Sequence, residues 1–446
     1  MDYKKKIHQL IPGGAHTYSR GDDQFPFNAP SILERGEGAY VYDINNEKYL
    51  DYGMGLRSVN IGYGNIEVAE AVYKEVMKGN NLTRASFTEL KAAELLVNLI
   101  ESVDMVKFAK HGSTVTTAAI KLARAYTNRK YICVPFEQPF FSFDDWFIGS
   151  TPIKRGIPEE IYQFTLKFNY NDISSLKKLF HEYPNQIAGV ILEPVTNKTP
   201  CVFCNLDQKN NCYECGEKNF LQQVQELCHE QKSVFILDEM ITGFRWHIKG
   251  AQHYFNVKPD LCTFGKAMAN GLAVAALGGK KEIMNLGGIL NEGEERVFLT
   301  STTHGAEMGA LGAFIKTLEI LKRDNVIDHF WSFGQKLIEN ANEISRSLGL
   351  IDYFYFEGFP CSPNYVTKDL NKEISLPFRT LFLQSMIEKN IIIPYVAISF
   401  SHSDNELELT LDGIRYSLEI YKKALNDGIE NYLKSNVIKP VFRKYN

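Results

Sequence analysis

Residues 234–271 read VFILDEMITGFRWHIKGAQHYFNVKPDLCTFGKAMANG, and this stretch decides the fold. Val234 to Leu237 is a short, wholly apolar run closed by a charged pair. That is the pattern of a strand buried on both faces of a parallel sheet. Asp238 falls at its C-terminal end, where ligands of open α/β sheets gather. A second apolar run, Leu261 to Phe264, follows Lys258-Pro259-Asp260, and Lys266 comes just beyond it. A carboxylate at one strand end and an amine beyond the next are the two groups a pyridoxal phosphate site needs. The amine joins the cofactor's aldehyde, and the anion keeps its pyridine nitrogen protonated. On spacing alone, the same two residues would equally describe a solvated ion pair.

The wording around them is more specific. LDEMITGFR followed by PDLCTFGKAMANG resembles the aspartate and lysine motifs of the class III aminotransferases, a subgroup of fold type I pyridoxal phosphate enzymes. LIPGGAHTYSR (10–20), GAYVYDINNEKYLDY (38–52) and AAIKLARAYTNRK (118–130) resemble the branch built like glutamate-1-semialdehyde aminomutase. The likeness runs from about residue 10 to about residue 420. It implies an α/β fold: a large domain with a mostly parallel sheet, and a smaller α+β domain assembled from both ends of the chain. The expected division is 1–60 and 326–446 for the small domain and 61–325 for the large one.

Bulk properties agree with such a protein. At 446 residues the chain exceeds the size at which one core usually stops growing, so two lobes are expected. A formal charge of -4 makes no electrostatic case for nucleic acid or an anionic membrane. No run of about eighteen apolar residues occurs, and the opening MDYKKKIHQLIPGG has no apolar signal core, so a cytoplasmic protein is expected. The 23 Tyr and 29 Phe suit a bulky core and a subunit interface.

Taken along the chain, the resemblance assigns further residues. Arg20 falls where the family has an arginine facing the substrate carboxylate, although it also lies in a polar segment where an arginine needs no special reason. Further on, the aminomutases carry a Ser-Trp pair; this chain has Gly55-Leu56 followed by Arg57. The exchange of a ring for a guanidinium points away from glutamate semialdehyde, toward an anionic or hydroxyl-rich substrate or a structural ion pair. Met105 to Phe108 reads as a strand, and His111-Gly112-Ser113-Thr114 leads into a helix expected from Thr116 to Tyr126. Gly112 and Ser113 occupy the phosphate-holding place, where a helix N-terminus offers N–H groups. Phe140 takes the position of a tyrosine that stacks on the pyridine ring, and Met240 that of a small residue on the opposite face. Glu193, ending the run Ile187 to Leu192, borders the substrate entrance in the family or serves its own loop. Thr302, in STTHGAE, corresponds to a threonine that reaches the phosphate bound by the other subunit, which implies a homodimer with shared sites. As a helix cap it would serve equally.

One insertion belongs to no part of the resemblance. Cys201, Cys204, Cys212 and Cys215 form two C-x2-C pairs within residues 200–216. Each pair can place two thiolates on one ion, so a structural zinc is expected. An iron–sulfur cluster, two disulfides or four free thiols are the alternatives.

The expected reaction is amino transfer through an internal aldimine on Lys266, from an amino-acid donor to an aldehyde or ketone acceptor. STTHGAE resembles aminotransferases of sugar pathways, which points to a sugar-like acceptor. An aminomutase, returning the nitrogen to a neighbouring carbon, is the alternative.

Overall fold

The structure, a computed structural model, describes residues 3–195, 198–200 and 218–446. The chain divides into two compact units, Met1–Asn65 with Asp328–Asn446, and Ile66–Ile327. Cys201, Cys204, Cys212 and Cys215 lie outside the described residues.

The first unit opens with strands β1 (Leu33–Glu37), β2 (Tyr40–Asp43) and β3 (Lys48–Asp51). β2 and β3 form a hairpin around Asn45-Asn46. Its turn is held by the Asp43 carboxylate, which accepts from the backbone N–H groups of Asn45 (2.8 Å) and Glu47 (2.9 Å). This is the Asx geometry that suits a short polar loop.

Among its described residues the second unit carries seven strands: β4 (Met105–Ala109), β5 (Tyr131–Pro135), β6 (Thr165–Phe168), β7 (Ile187–Leu192), β8 (Val234–Asp238), β9 (Leu261–Phe264) and β10 (Ala275–Gly279). They form one sheet in the order β4-β10-β9-β8-β7-β5-β6. β10 runs antiparallel to both its neighbours; the other pairs are parallel. Every residue of β7, β8 and β9 is buried, as strands that are mostly apolar and covered on both faces require. The helix Gly112–Thr127 covers the sheet with Val115, Ala118, Ala119, Leu122 and Ala123, all buried.

Two helix starts differ from those expected. The helix placed at Thr116 begins at Gly112, with His111 extended at its N-cap. Thr116 instead bonds back to the carbonyls of Gly112 and Ser113, both at 3.1 Å. The long helix for which Thr302 offered a cap begins only at Met308 and runs to Arg323. Its first N–H groups are met by a distant residue: Met308 N donates to Asn80 O (2.7 Å) and Gly309 N to Asn80 Oδ1 (2.9 Å). Thr302 is therefore not the cap of this helix, because a tertiary partner does that work.

The first unit resumes with β11 (Phe354–Glu357) and β12 (Asn364–Thr367), an antiparallel pair, and with β13 (Ile391–Ile392), which joins β3 in parallel. Its last helix, Asp404–Asp427, starts in a capping box of Ser403 and Glu406. Among the described residues no helix is long and apolar enough to cross a membrane.

Candidate active site

Asp238 and Thr263 are register partners on the parallel strands β8 and β9. The apolar run of β8 buries Asp238 to 3% exposure, so its carboxylate must be satisfied locally. Both of its protein donors reach one oxygen: Met240 N and Thr263 Oγ1 each lie 3.0 Å from Oδ1. Oδ2 accepts no hydrogen bond from any described residue. Burial pushes this carboxyl up to about 6, against the pull of the Met240 N–H, the Lys266 charge and the Thr263 hydroxyl.

Lys266 follows β9 after Gly265 and opens a short 3₁₀ turn, Lys266–Ala269. Its φ is +37°, a conformation that non-glycine residues adopt rarely and at a cost. Glycine at 265 has a steric reason. A Cβ there would lie 2.6 Å from Met240 Sδ, and one at Gly112 would lie 2.9 Å from the same sulfur. Met240, itself buried, thus fills the space between the helix start at Gly112 and the approach to Lys266.

Glu239 fixes the segment that carries Met240. It is fully buried, and its carboxylate accepts from Ala251 N (2.5 Å), Gln252 N (3.0 Å), Gln252 Nε2 (3.0 Å) and Thr242 Oγ1 (3.1 Å). Its backbone N–H donates to Thr263 O at 2.9 Å, tying the end of β8 to β9 once more.

Gly112 and Ser113 open the helix Gly112–Thr127, with Ser113 Oγ accepting from Phe143 N at 3.0 Å. Phe140 is 43% exposed and meets Phe147 edge-on, ring centroids 6.2 Å apart. Phe141, its neighbour, is core. Glu193 is buried, and its backbone is clasped by Gln138, which accepts from Glu193 N (2.8 Å) and donates to Glu193 O (2.9 Å). Thr302 is exposed in a turn that Gly305 N closes onto its carbonyl.

Arg20 and Arg57 belong to the other unit. Arg20 is exposed at the end of the short turn Tyr18–Arg20. Arg57 ends a turn in which four successive residues have positive φ: Met54 (41°), Gly55 (58°), Leu56 (63°) and Arg57 (65°). Left-handed backbone costs an L-residue about 1–2 kcal/mol, so three non-glycine residues there need strong local support. The Arg57 guanidinium lies over the Tyr395 ring, 4.5 Å from its centroid. Among the described residues no group of His, Cys, Asp or Glu could hold a metal.

Thr263, Glu239 and Gln138 were not legible as site residues in the sequence. Nothing in the spacing of β9 marks Thr263 until strand register sets it beside Asp238. A buried carboxylate with one oxygen that no described residue bonds, an amine just beyond the neighbouring strand and a helix N-terminus suit a ligand with a protonated ring nitrogen, an aldehyde and a phosphate. Pyridoxal phosphate has all three.

Comparison with known proteins agrees. The description "Aminotransferase class-III" matches residues 18–352. The 3-aminobutyryl-CoA aminotransferase of Cloacimonas acidaminovorans is 31% identical over 429 residues, covering 95% of this chain and 98% of that protein. The glutamate-1-semialdehyde 2,1-aminomutase of Thermosipho africanus is 32% identical over 443 residues, covering 94% and 98%. In fold, the FumI protein of Sphingopyxis sp. MTA144, solved in its PLP internal aldimine form, superposes with a TM-score of 0.83 at 22% identity, covering 96% of this chain and 97% of that one. The chain belongs to the class-III aminotransferases, pyridoxal-phosphate enzymes of fold type I.

Proposed function

We propose that Asp238 and Lys266 carry the amino transfer, Asp238 holding a proton on the cofactor's ring nitrogen and Lys266 acting first as anchor and then as proton shuttle. The observation that supports this most is the Asp238 carboxylate itself. It is desolvated, both its protein donors reach Oδ1, and Oδ2 remains for a ring N–H. Bound there, pyridoxal phosphate supplies a carbonyl carbon for amines and an electron-withdrawing ring. The Lys266 amine would hold the cofactor at rest. Once the donor's amine had displaced it, the same amine would serve as the base and then the acid that moves the donor's Cα proton.

The other assignments follow the same reading. The N–H groups of Gly112 and Ser113, at the start of a 16-residue helix, would hold the phosphate. Phe140 and Met240 would flank the ring. Thr302 is assigned to the phosphate held by a second copy, so a homodimer with shared sites is part of the proposal; its exposure is compatible with that reach. Arg20, Arg57 and Glu193 are assigned to the substrates, an amino-acid donor and an aldehyde or ketone acceptor, with sugar-like carbonyls the first to try.

Relatives named for an aminotransferase and for an aminomutase lie at nearly equal identity, so intramolecular transfer is the second reading. Amino transfer between two molecules is preferred because Gly55-Leu56, followed by Arg57, stands where the resembled aminomutases have Ser-Trp. Measuring the half-reactions separately decides between them. Release of a keto acid from the donor, matched by amination of a second compound on pyridoxamine-loaded enzyme, supports transfer. Isomerisation of one compound with no keto acid released supports the mutase.

The proposal keeps a structural zinc on Cys201, Cys204, Cys212 and Cys215, supported by the paired C-x2-C spacing. A cytoplasmic location suits four reduced thiolates. Elemental analysis of protein purified without added metal, beside Cys204→Ser, tests this. About one zinc per subunit, lost in the variant, is expected; metal-free wild type with free thiols would end the assignment.

A further inference from the structure

The left-handed turn Met54–Arg57 is an expensive way to change direction, and glycine occupies only one of its four positions. Gly55 itself has little room, since a Cβ there would meet Ser58 Oγ at 2.8 Å. The residues that keep the turn in place are Asp51, Tyr63 and Tyr395. The Asp51 carboxylate, nearly buried, accepts from Gly53 N (2.7 Å) and Met54 N (3.0 Å), which fixes the turn's entry. The Tyr63 hydroxyl donates to Asp51 Oδ2 at 2.6 Å. Tyr63 is anchored in turn by two backbone bonds to Gly38, at 2.9 and 2.8 Å. Burial and the Asp51 charge hold its phenol well above the ordinary range, so it remains the donor.

The turn's exit is fixed from the other side. Gly53 O accepts Arg57 N (3.0 Å), closing the turn, and also the Tyr395 hydroxyl (3.2 Å). The Tyr395 ring then carries the Arg57 guanidinium. Its chain segment is tied close by: Ala397 N donates to Tyr52 O (2.9 Å), and Tyr52 N to Ile392 O (2.8 Å). Stacking engages the flat face of a guanidinium, while anions are gripped along its N–H edge, so a stacked arginine can still bind one.

We propose that Asp51, Tyr63 and Tyr395 are positioning residues that aim Arg57 at an anionic group of the substrate, a carboxylate or a phosphate. This rests on the reading of Arg57 as a substrate-binding residue. Strain held by an over-determined local network is expected where a side chain must be aimed rather than merely exposed.

The test is calorimetric titration of the holoenzyme with glutarate and, separately, with inorganic phosphate, alongside thermal unfolding. The variants are Arg57→Ala, Tyr63→Phe, Tyr395→Phe and the double variant Tyr63→Phe/Arg57→Ala. Wild type should bind one of the two probes, and which one it prefers distinguishes carboxylate from phosphate recognition. Arg57→Ala should weaken that binding by about tenfold or more, and each tyrosine variant by several-fold. Adding Tyr63→Phe to Arg57→Ala should weaken binding no further, although it lowers the unfolding temperature as it does in wild type. A purely structural tyrosine would not give that pattern. If Tyr63→Phe costs as much binding without Arg57 as with it, or the tyrosine variants bind as wild type does, positioning is overturned while Arg57 keeps its role. If Arg57→Ala binds normally, the underlying reading of Arg57 fails. Wild type that binds neither probe overturns the proposal as well.

Discussion

Thr263 Oγ1 donates to Asp238 Oδ1 at 3.0 Å, across two strands whose register puts these residues side by side. With Met240 N on the same oxygen, the bond orients the carboxylate and favours its charged form. The Asp238 carboxyl, pushed up to about 6 by burial, would rise further without it. Thr263→Val keeps the shape and removes the donor. Titrating the apoprotein with pyridoxal phosphate should show affinity falling as pH drops through about 6 in wild type. In the variant the midpoint should move to higher pH, with affinity near neutrality reduced by about tenfold. An unchanged midpoint would remove Thr263 from the account.

Met240 and Gly265 make a steric pair. A methyl group at 265 would come within 2.6 Å of the Met240 sulfur, so Gly265→Ala must displace either Met240 or the approach to Lys266. Overpacking of this kind costs about 1–3 kcal/mol. Gly265→Ala should therefore lose cofactor on dialysis faster than wild type, and adding Met240→Ala should restore much of the retention. Cofactor absorbance followed over dialysis measures both. A double variant worse than either single one would mean that the two side chains do not compete for the same space.

His402 is a pH-sensitive element of the first unit. It is fully buried, stacked on Tyr52 with ring centroids 4.5 Å apart, and its Nδ1 accepts from Ser399 N at 2.9 Å. Burial holds its pKa down at about 4, from an unperturbed 6.5. The unfolded chain therefore takes up a proton between these values and the folded one does not. Stability conferred by the neutral ring is present above pH 6.5 and is lost as pH falls toward 4, by about 3 kcal/mol at most. His402→Gln should flatten this part of the stability–pH curve, read from denaturant unfolding at several pH values. An equal slope in the variant would place the pH dependence elsewhere.

Much of this protein was open to reading from local pattern, and the failures share a cause. β7, β8 and β9 are predominantly apolar runs between polar punctuation, the pattern that an all-buried parallel strand writes. Asp238 and Lys266 stood out because each lies at or just beyond the end of such a run. Thr263 did not, since its importance comes from register between strands. The start of the helix at Met308 was not legible because Asn80, far away in sequence, meets its first N–H groups, where Thr302 had been the alternative cap. The Arg57 turn was legible only as a departure from a resembled pattern. Its left-handed backbone depends on Asp51, Tyr63 and Tyr395, which come together only in the folded unit.

The central claim is that Lys266 is the amine that holds the cofactor. Borohydride reduction of the holoenzyme, followed by digestion and mass mapping, tests it most directly, because reduction makes the link permanent at whichever lysine bears it. The account predicts one phosphopyridoxyl group per chain, on Lys266 within the FGKAMANG segment, no label in Lys266→Ala, and turnover in that variant lower by orders of magnitude with the fold retained. A label on any other lysine, or a fully active Lys266→Ala enzyme, would contradict it.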